Sequence, residues 1–196
     1  MPIPAFTIDG VLPPYVGPNG PGGAAEDMSP YSATALEVIV TLGVSESRKA
    51  IVRGWLRHRA ALRAIGFERG FQWLDGSFVE SKDPRDLDVV SFLYRPPGIR
   101  DPGQLLTVMR ANGNLFIRNL VKSEFQLDAF PIDLDGSPEA LVSSSRYFLG
   151  LFSHRRDDDI WKGMLQVRME DVADDAAALA ALGPEPSLGP HQGGRS

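Results

Sequence analysis

The sequence predicts a mixed α/β (α+β) fold on three observations. Helical-period stretches occupy the first third of the chain, short apolar runs of strand length follow residue 68, and an Ala-rich helical stretch closes the pattern. With 196 residues and 43% hydrophobic side chains, one domain with one sizeable core is expected at residues 31–182. It is flanked by an extended N-terminal arm with a Gly/Pro-rich loop (residues 1–30) and a disordered tail (residues 183–196). Gly17-Pro-Asn-Gly-Pro-Gly-Gly23 offers no regular backbone ladder, so it reads as a loop. Phe6, Ile8, Val11, Leu12 and Tyr15 are the side chains available to pin the arm.

The first helix is expected at residues 32–42, where Thr34-Ala-Leu-Glu37 has the spacing of a capping box and Gly43 supplies the stop. Ser45 then caps a second helix running to Ile65, with Gly66 ending it. Ile51, Trp55, Leu62 and Ile65 form its apolar stripe. Arg48, Arg53, Arg57 and Arg63 fall mostly elsewhere and read as a solvated face. Strands follow at residues 71–74 and 87–93, the second ended by Arg95-Pro-Pro-Gly98. A helix is expected at residues 102–112, and residues 115–121 continue helically or as a turn. A third strand spans residues 124–134 and is closed by Asp135-Gly136. Residues 141–152 fit helix or loop, 162–169 a last strand, and 171–182 a last helix.

Composition narrows the function. A net charge of −5 with both signs scattered argues against non-specific nucleic-acid binding, which needs clustered Lys and Arg. The absence of cysteine removes disulfides, thiolate zinc sites and a Cys nucleophile. His58, His154 and His191 are too scattered for a histidine-rich metal site, so any metal is expected to be a hard cation on carboxylates. No apolar run reaches the roughly 20 residues of a membrane span, and the N-terminus lacks signal-peptide character. A cytoplasmic protein without membrane contact is the expectation.

Three features carry chemistry together. Gly76-Ser77 turns out of the strand at residues 71–74; glycine lets backbone N–H groups approach an anion, and serine adds a hydroxyl donor. Asp86 and Asp88 enter the next strand two residues apart, which turns both carboxylates to one face while Leu87, Val89 and Phe92 pack. Two carboxylates so close repel unless a cation neutralises them, and Mg²⁺ takes oxygen ligands while leaving room for phosphate. Asp128 lies in the later apolar strand, where an ion needs a partner. Asp133 is the alternative third acid, although it sits beside a turn. Each feature alone is ordinary: a turn, two surface acids, one strand carboxylate. Trp55, Trp73 and Trp161 read as packing residues, and His154 and Asp157-Asp-Asp159 as loop residues.

The run Leu74-Asp-Gly-Ser-Phe-Val-Glu-Ser-Lys-Asp-Pro-Arg-Asp-Leu-Asp-Val-Val90, with the later Asp128 strand, resembles the DNA polymerase beta-like nucleotidyltransferase superfamily. More narrowly, the chain resembles a bacterial family of small nucleotidyltransferase-like proteins over most of residues 3–170. The resemblance implies a mixed β-sheet flanked by helices, with Gly76 and Ser77 gripping a nucleoside triphosphate (NTP). It also implies that Asp86 and Asp88 bind Mg²⁺, or Mn²⁺ in its place, and that Asp128 joins one metal and helps deprotonate the acceptor. Small members of the superfamily often carry a basic residue soon after Gly-Ser, whereas Phe78-Val79-Glu80 stands here. Lys82 and Lys162 are therefore the leading phosphate-binding cations, with Arg85, Lys122, Arg155 and Arg156 as further ones. The implied activity moves a nucleoside monophosphate onto a protein, RNA or small-molecule hydroxyl. The alternative is a catalytically weak or inactive nucleotide-binding module with a protein partner, such as one half of a bacterial toxin–antitoxin or defence pair.

Overall fold

A computed structural model describes residues 2–184; all but the first two residues of the tail expected at 183–196 lie outside it. Five strands form one mixed sheet in the order β1 (Tyr31–Ser32), β5 (Leu165–Arg168), β2 (Gly70–Asp75), β3 (Leu87–Leu93), β4 (Leu127–Asp133). The outer pairs β1·β5 and β3·β4 are parallel, while β5·β2 and β2·β3 are antiparallel.

Strand periodicity divides the sheet into two unequal faces. Leu74, Leu87, Val89, Leu127, Ala129, Leu165 and Val167 face the larger core, against α1 (Ala35–Leu42), α2 (Glu46–Ala64), α4 (Gly113–Phe116), α5 (Arg118–Phe125) and α7 (Val172–Ala181). Trp73, Val90, Phe92 and Met164 meet Phe148 and Phe152 of α6 (Pro138–Phe152) on the other face. Because successive strand residues alternate, Asp75, Asp88 and Asp128 belong to that second, thinly covered face. The remaining helix, α3 (Pro102–Ala111), lies between β3 and α4 in sequence and is capped by Asp101.

The expected local signals are present at both early helices. Thr34 and Glu37 form a reciprocal capping box on α1, and the Ser45 side chain accepts from the Arg48 N–H at the start of α2. The third strand is shorter than expected, because α5 runs on through Phe125 and Gln126 closes it in the left-handed region. Residues 141–152 lie inside α6, and the last strand begins only at Leu165. Of the side chains expected to pin the first 30 residues, Val11 and Leu12 are fully buried, whereas Ile8 is fully exposed.

Of the α2 arginines expected on a solvated face, Arg57 is exposed and Arg63 half-buried, whereas Arg48 and Arg53 correct the expectation. Arg48, Arg53 and Arg59 are all buried. Arg59 donates to Asp175 (2.8 Å), Gln72 (3.0 Å) and the Arg168 carbonyl (2.6 Å), and Arg63 shares Asp175 with it. Gln72 also accepts from the Trp55 indole and donates to Ser91, so a polar seam crosses the larger core with its donors matched. Buried ions survive only with such partners. These partners lie up to 116 residues away in sequence. On the same helix, a Cβ at Gly54 would meet the Phe125 carbonyl oxygen at 2.0 Å, so glycine permits the close approach of α2 to the end of α5.

Candidate functional site

The sheet register builds the site. Asp75 of β2 pairs across from Asp88 of β3, and Asp88 from Asp128 of β4. Three carboxylates on adjacent strands therefore stand in one row at one end of the sheet. Asp86, immediately before β3, joins the same cleft. Gly76 follows Asp75 at a φ of +73°, and a Cβ there would lie 1.9 Å from Asp88 Oδ2. Only glycine both adopts that conformation without strain and lets the turn close onto the carboxylate.

The cleft has a volume of about 380 Å³. Its acids are Asp75, Glu80, Asp86, Asp88, Asp128 and Asp157, and its cations are Lys82, Arg118, Lys122, Arg155, Arg156 and Lys162. Gly76, Ser77, His154, Leu151 and Phe152 complete the lining. The leading sequence-derived site residues (Gly76, Ser77, Lys82, Asp86, Asp88, Asp128 and Lys162) are thus brought to one place, whereas Arg85 is not in the lining. Asp133 is not among them; it is held by Arg95 at 2.6 Å, at the opposite end of β4.

The carboxylates differ in what holds them. Asp128 is gripped at both oxygens by Arg118, and Asp86 by Lys122 at 2.5 Å. Arg118 and Lys122 lie four residues apart on α5, the spacing that places two side chains on one helix face. Asp88 has no ion pair among the described residues. Burial first, and then the charges of Asp128 and Asp86, push its carboxyl up to about 6. Among the described residues, no three Asp, Glu or His side chains gather closely enough to cage a metal ion. Asp88 is nonetheless a half-desolvated oxygen donor lacking a cation, beside a second donor whose guanidinium partner is 65% exposed. Carboxylate oxygens are the donors a hard divalent ion takes, and Arg118 and Lys122, 65% and 53% exposed, now occupy those of Asp128 and Asp86.

Lys162 occupies a different position from a mobile phosphate ligand. Only 4% exposed, its ammonium is shared by the Gly76 carbonyl (3.1 Å), Asp75 (3.3 Å) and Glu80 (3.3 Å). Lys82, on the rim, lies 2.9 Å from the same Glu80. Among the described residues, Glu80 thus has two ammonium partners and Asp75 only the buried one. Burial pushes the Asp75 carboxyl up to about 7 against the pull of Lys162 and the Gly76 N–H. A folded-state value above the unfolded one means the unfolded chain ionises first. Stability from this group is complete near pH 4 and falls as pH rises towards 7, at up to about 1.4 kcal/mol per pH unit. Chemical denaturation at pH 5, 6, 7 and 8 should show the wild type losing stability relative to Asp75→Asn up to about pH 7. A difference that stays flat from pH 5 to 8 contradicts the assignment.

Sequence reading missed Asp75, Glu80 and Arg118 in the cleft lining, and also Arg48, which braces the cleft loop from below. Buried beneath the cleft loop, it donates to the carbonyls of Phe78 (2.8 Å), Glu80 and Lys82 (2.8 Å), with its guanidinium 5.3 Å from the Phe78 ring centre. Phe78 therefore serves as a lid over a buried cation below the turn and contributes no cleft surface. One signal was present: residues 48, 51, 55, 59 and 62 share one helical stripe, which points Arg48 and Arg59 to the same side as Trp55, although not to the partners that allow their burial. The loop is braced from the other side by residues 10–12, through Ser81 N–H to the Gly10 carbonyl (2.8 Å) and Leu12 N–H to the Val79 carbonyl (3.2 Å).

A protein-family model matches residues 4–168. The chain belongs to DUF6932, a family of unknown function. No curated protein and no solved structure matches the chain. The DUF6932 segment takes in all five strands and every residue of the cleft, and it ends before α7. Among the described residues, no helix is long and apolar enough to cross a membrane.

Proposed function

We propose that the chain is a Mg²⁺-dependent nucleotidyltransferase: a hydroxyl of a protein, RNA or small molecule gives its proton to a cleft carboxylate and attacks the α-phosphate of an NTP, and pyrophosphate leaves. The observation that carries the reading is the register of Asp88 against Asp128, which puts an unpaired, desolvated carboxylate beside a second one at a Gly-Ser turn. A cleft lined by interleaved acids and cations suits a polyanion that arrives with its own metal. Asp88 and Asp128 would hold the metal, which supplies charge neutralisation and alignment of the acceptor oxygen on the α-phosphate. Ser77 presents its hydroxyl and backbone N–H to the phosphates. Arg118 and Lys122 turn from the carboxylates to the triphosphate when it enters, which provides the cations missing directly after Gly-Ser. Lys162 holds the turn in place from beneath.

One observation favours a second reading. Asp86 and Asp128 are already ion-paired, which suits a nucleotide-binding module without turnover, acting with a protein partner as in a toxin–antitoxin or defence pair. Transfer of α-labelled NTPs in a lysate separates the two. The enzyme reading expects labelled acceptor with the wild type and none with Asp88→Ala. Nucleotide binding without any transferred label points to the module.

A further inference from the structure

Beside the carboxylate cleft runs a second, shallower groove of about 440 Å³, lined by Gly150, Leu151, His154, Arg156, Asp159 and Trp161. Leu151, His154 and Arg156 line both, so the two are continuous. Trp161 had been expected to pack, yet it is 60% exposed, whereas Trp55 and Trp73 are buried. It is held rather than loose. Its backbone bridges that of His154, the two rings meet edge to face at 5.3 Å, and Ser153 fixes the imidazole at 2.8 Å. The neighbouring Lys162 N–H donates to the Ser153 carbonyl at 2.8 Å, so the indole is mounted on the same short stretch that anchors the cleft floor. Arg156 forms no ion pair among the described residues, and its charge reaches Asp88.

We propose that this groove seats the nucleobase of the bound nucleotide, with Trp161 as the stacking surface and Arg156 spanning the junction to the phosphates. The inference rests on the nucleotide reading and deepens it. A rigid, exposed indole offers a base a π-face without ordering cost, and stacking tolerates any base because all have such a face. Its strength grows with ring overlap, so purine nucleotides bind more tightly than pyrimidine ones. Arg156 suits the junction because a guanidinium both stacks on rings and pairs with phosphate.

The experiment compares Mg–ATP, Mg–CTP and Mg–tripolyphosphate by calorimetry on the wild type, Trp161→Ala and Trp161→Phe. The expected result is wild-type binding of ATP at least about tenfold tighter than of tripolyphosphate, with CTP between. Trp161→Ala brings ATP down to the tripolyphosphate level without weakening tripolyphosphate itself, and Trp161→Phe restores part of the difference. Unchanged ATP affinity in Trp161→Ala, with the tripolyphosphate affinity also unchanged, overturns the base seat while leaving the nucleotide reading in place. Failure of the wild type to bind either ligand overturns both. Because Trp161 is exposed, thermal melting of Trp161→Ala should match the wild type.

Discussion

Asp175→Ala is expected to lower unfolding free energy by about 3–5 kcal/mol, the cost of leaving a buried ion without its partner. Asp175 holds two guanidiniums at once, and Arg59 is fully buried. Removing the carboxylate strands Arg59 in the larger core with only the neutral acceptors of Gln72 and Arg168. Arg59→Met is the informative contrast. It removes the buried charge itself and keeps much of the side-chain volume, while Asp175 retains Arg63. Its loss should be clearly smaller, since replacing an ion by an apolar side chain costs less than orphaning its partner. Urea denaturation of both variants checks the order. An Asp175→Ala protein as stable as Arg59→Met contradicts it.

Lys162→Met is the second large effect, again about 3–5 kcal/mol at neutral pH. Here the stranded group is Asp75, buried and paired with this ammonium alone among the described residues, whereas Glu80 keeps Lys82. The loss should depend on pH in a defined direction. Without Lys162 the folded-state value of Asp75, already raised by burial, rises further, so the unfolded chain ionises ahead of the folded one over a wider range. Destabilisation relative to the wild type is therefore smallest near pH 5 and largest above pH 7. Denaturation midpoints at those two pH values test this, and a penalty that grows on acidification contradicts the buried-triad description. The same variant should loosen the Gly76 turn, because the ammonium also holds its carbonyl.

Local signals were legible where residues act on their near neighbours. The Thr34–Glu37 box, the Ser45 cap and β3 at Leu87–Leu93 follow from spacing and side-chain chemistry. The site was legible as a set of residue types, since Gly76, Ser77, Asp86, Asp88 and Asp128 do line one cleft. What single-sequence reading could not supply was register. Alternation assigns a residue to a face, but the neighbour it meets depends on how two distant strands slide against each other. Asp128 opposite Asp88, and Asp133 away with Arg95, are register facts. The arginines failed for a related reason. Whether a charge is buried depends on a partner, and those of Arg48 and Arg59 lie 30 or more residues away in the loop at Phe78 and in α7. Trp161 was misread because an apolar side chain was given a core by default, although it is the adjacent Lys162 that is buried.

The central claim is that Asp88 takes up a divalent cation together with a nucleotide. Calorimetric titration of ATP, GTP, CTP and UTP with and without Mg²⁺, on the wild type and Asp88→Asn, tests it most directly. Burial already disfavours the charged form of Asp88, so the Asn variant should fold at least as stably and any lost binding is not lost structure. The account predicts Mg²⁺-dependent nucleotide binding by the wild type that weakens at least about tenfold in Asp88→Asn, as removal of a metal ligand requires. Equal binding by the two proteins, or no binding of any of the four nucleotides, contradicts it.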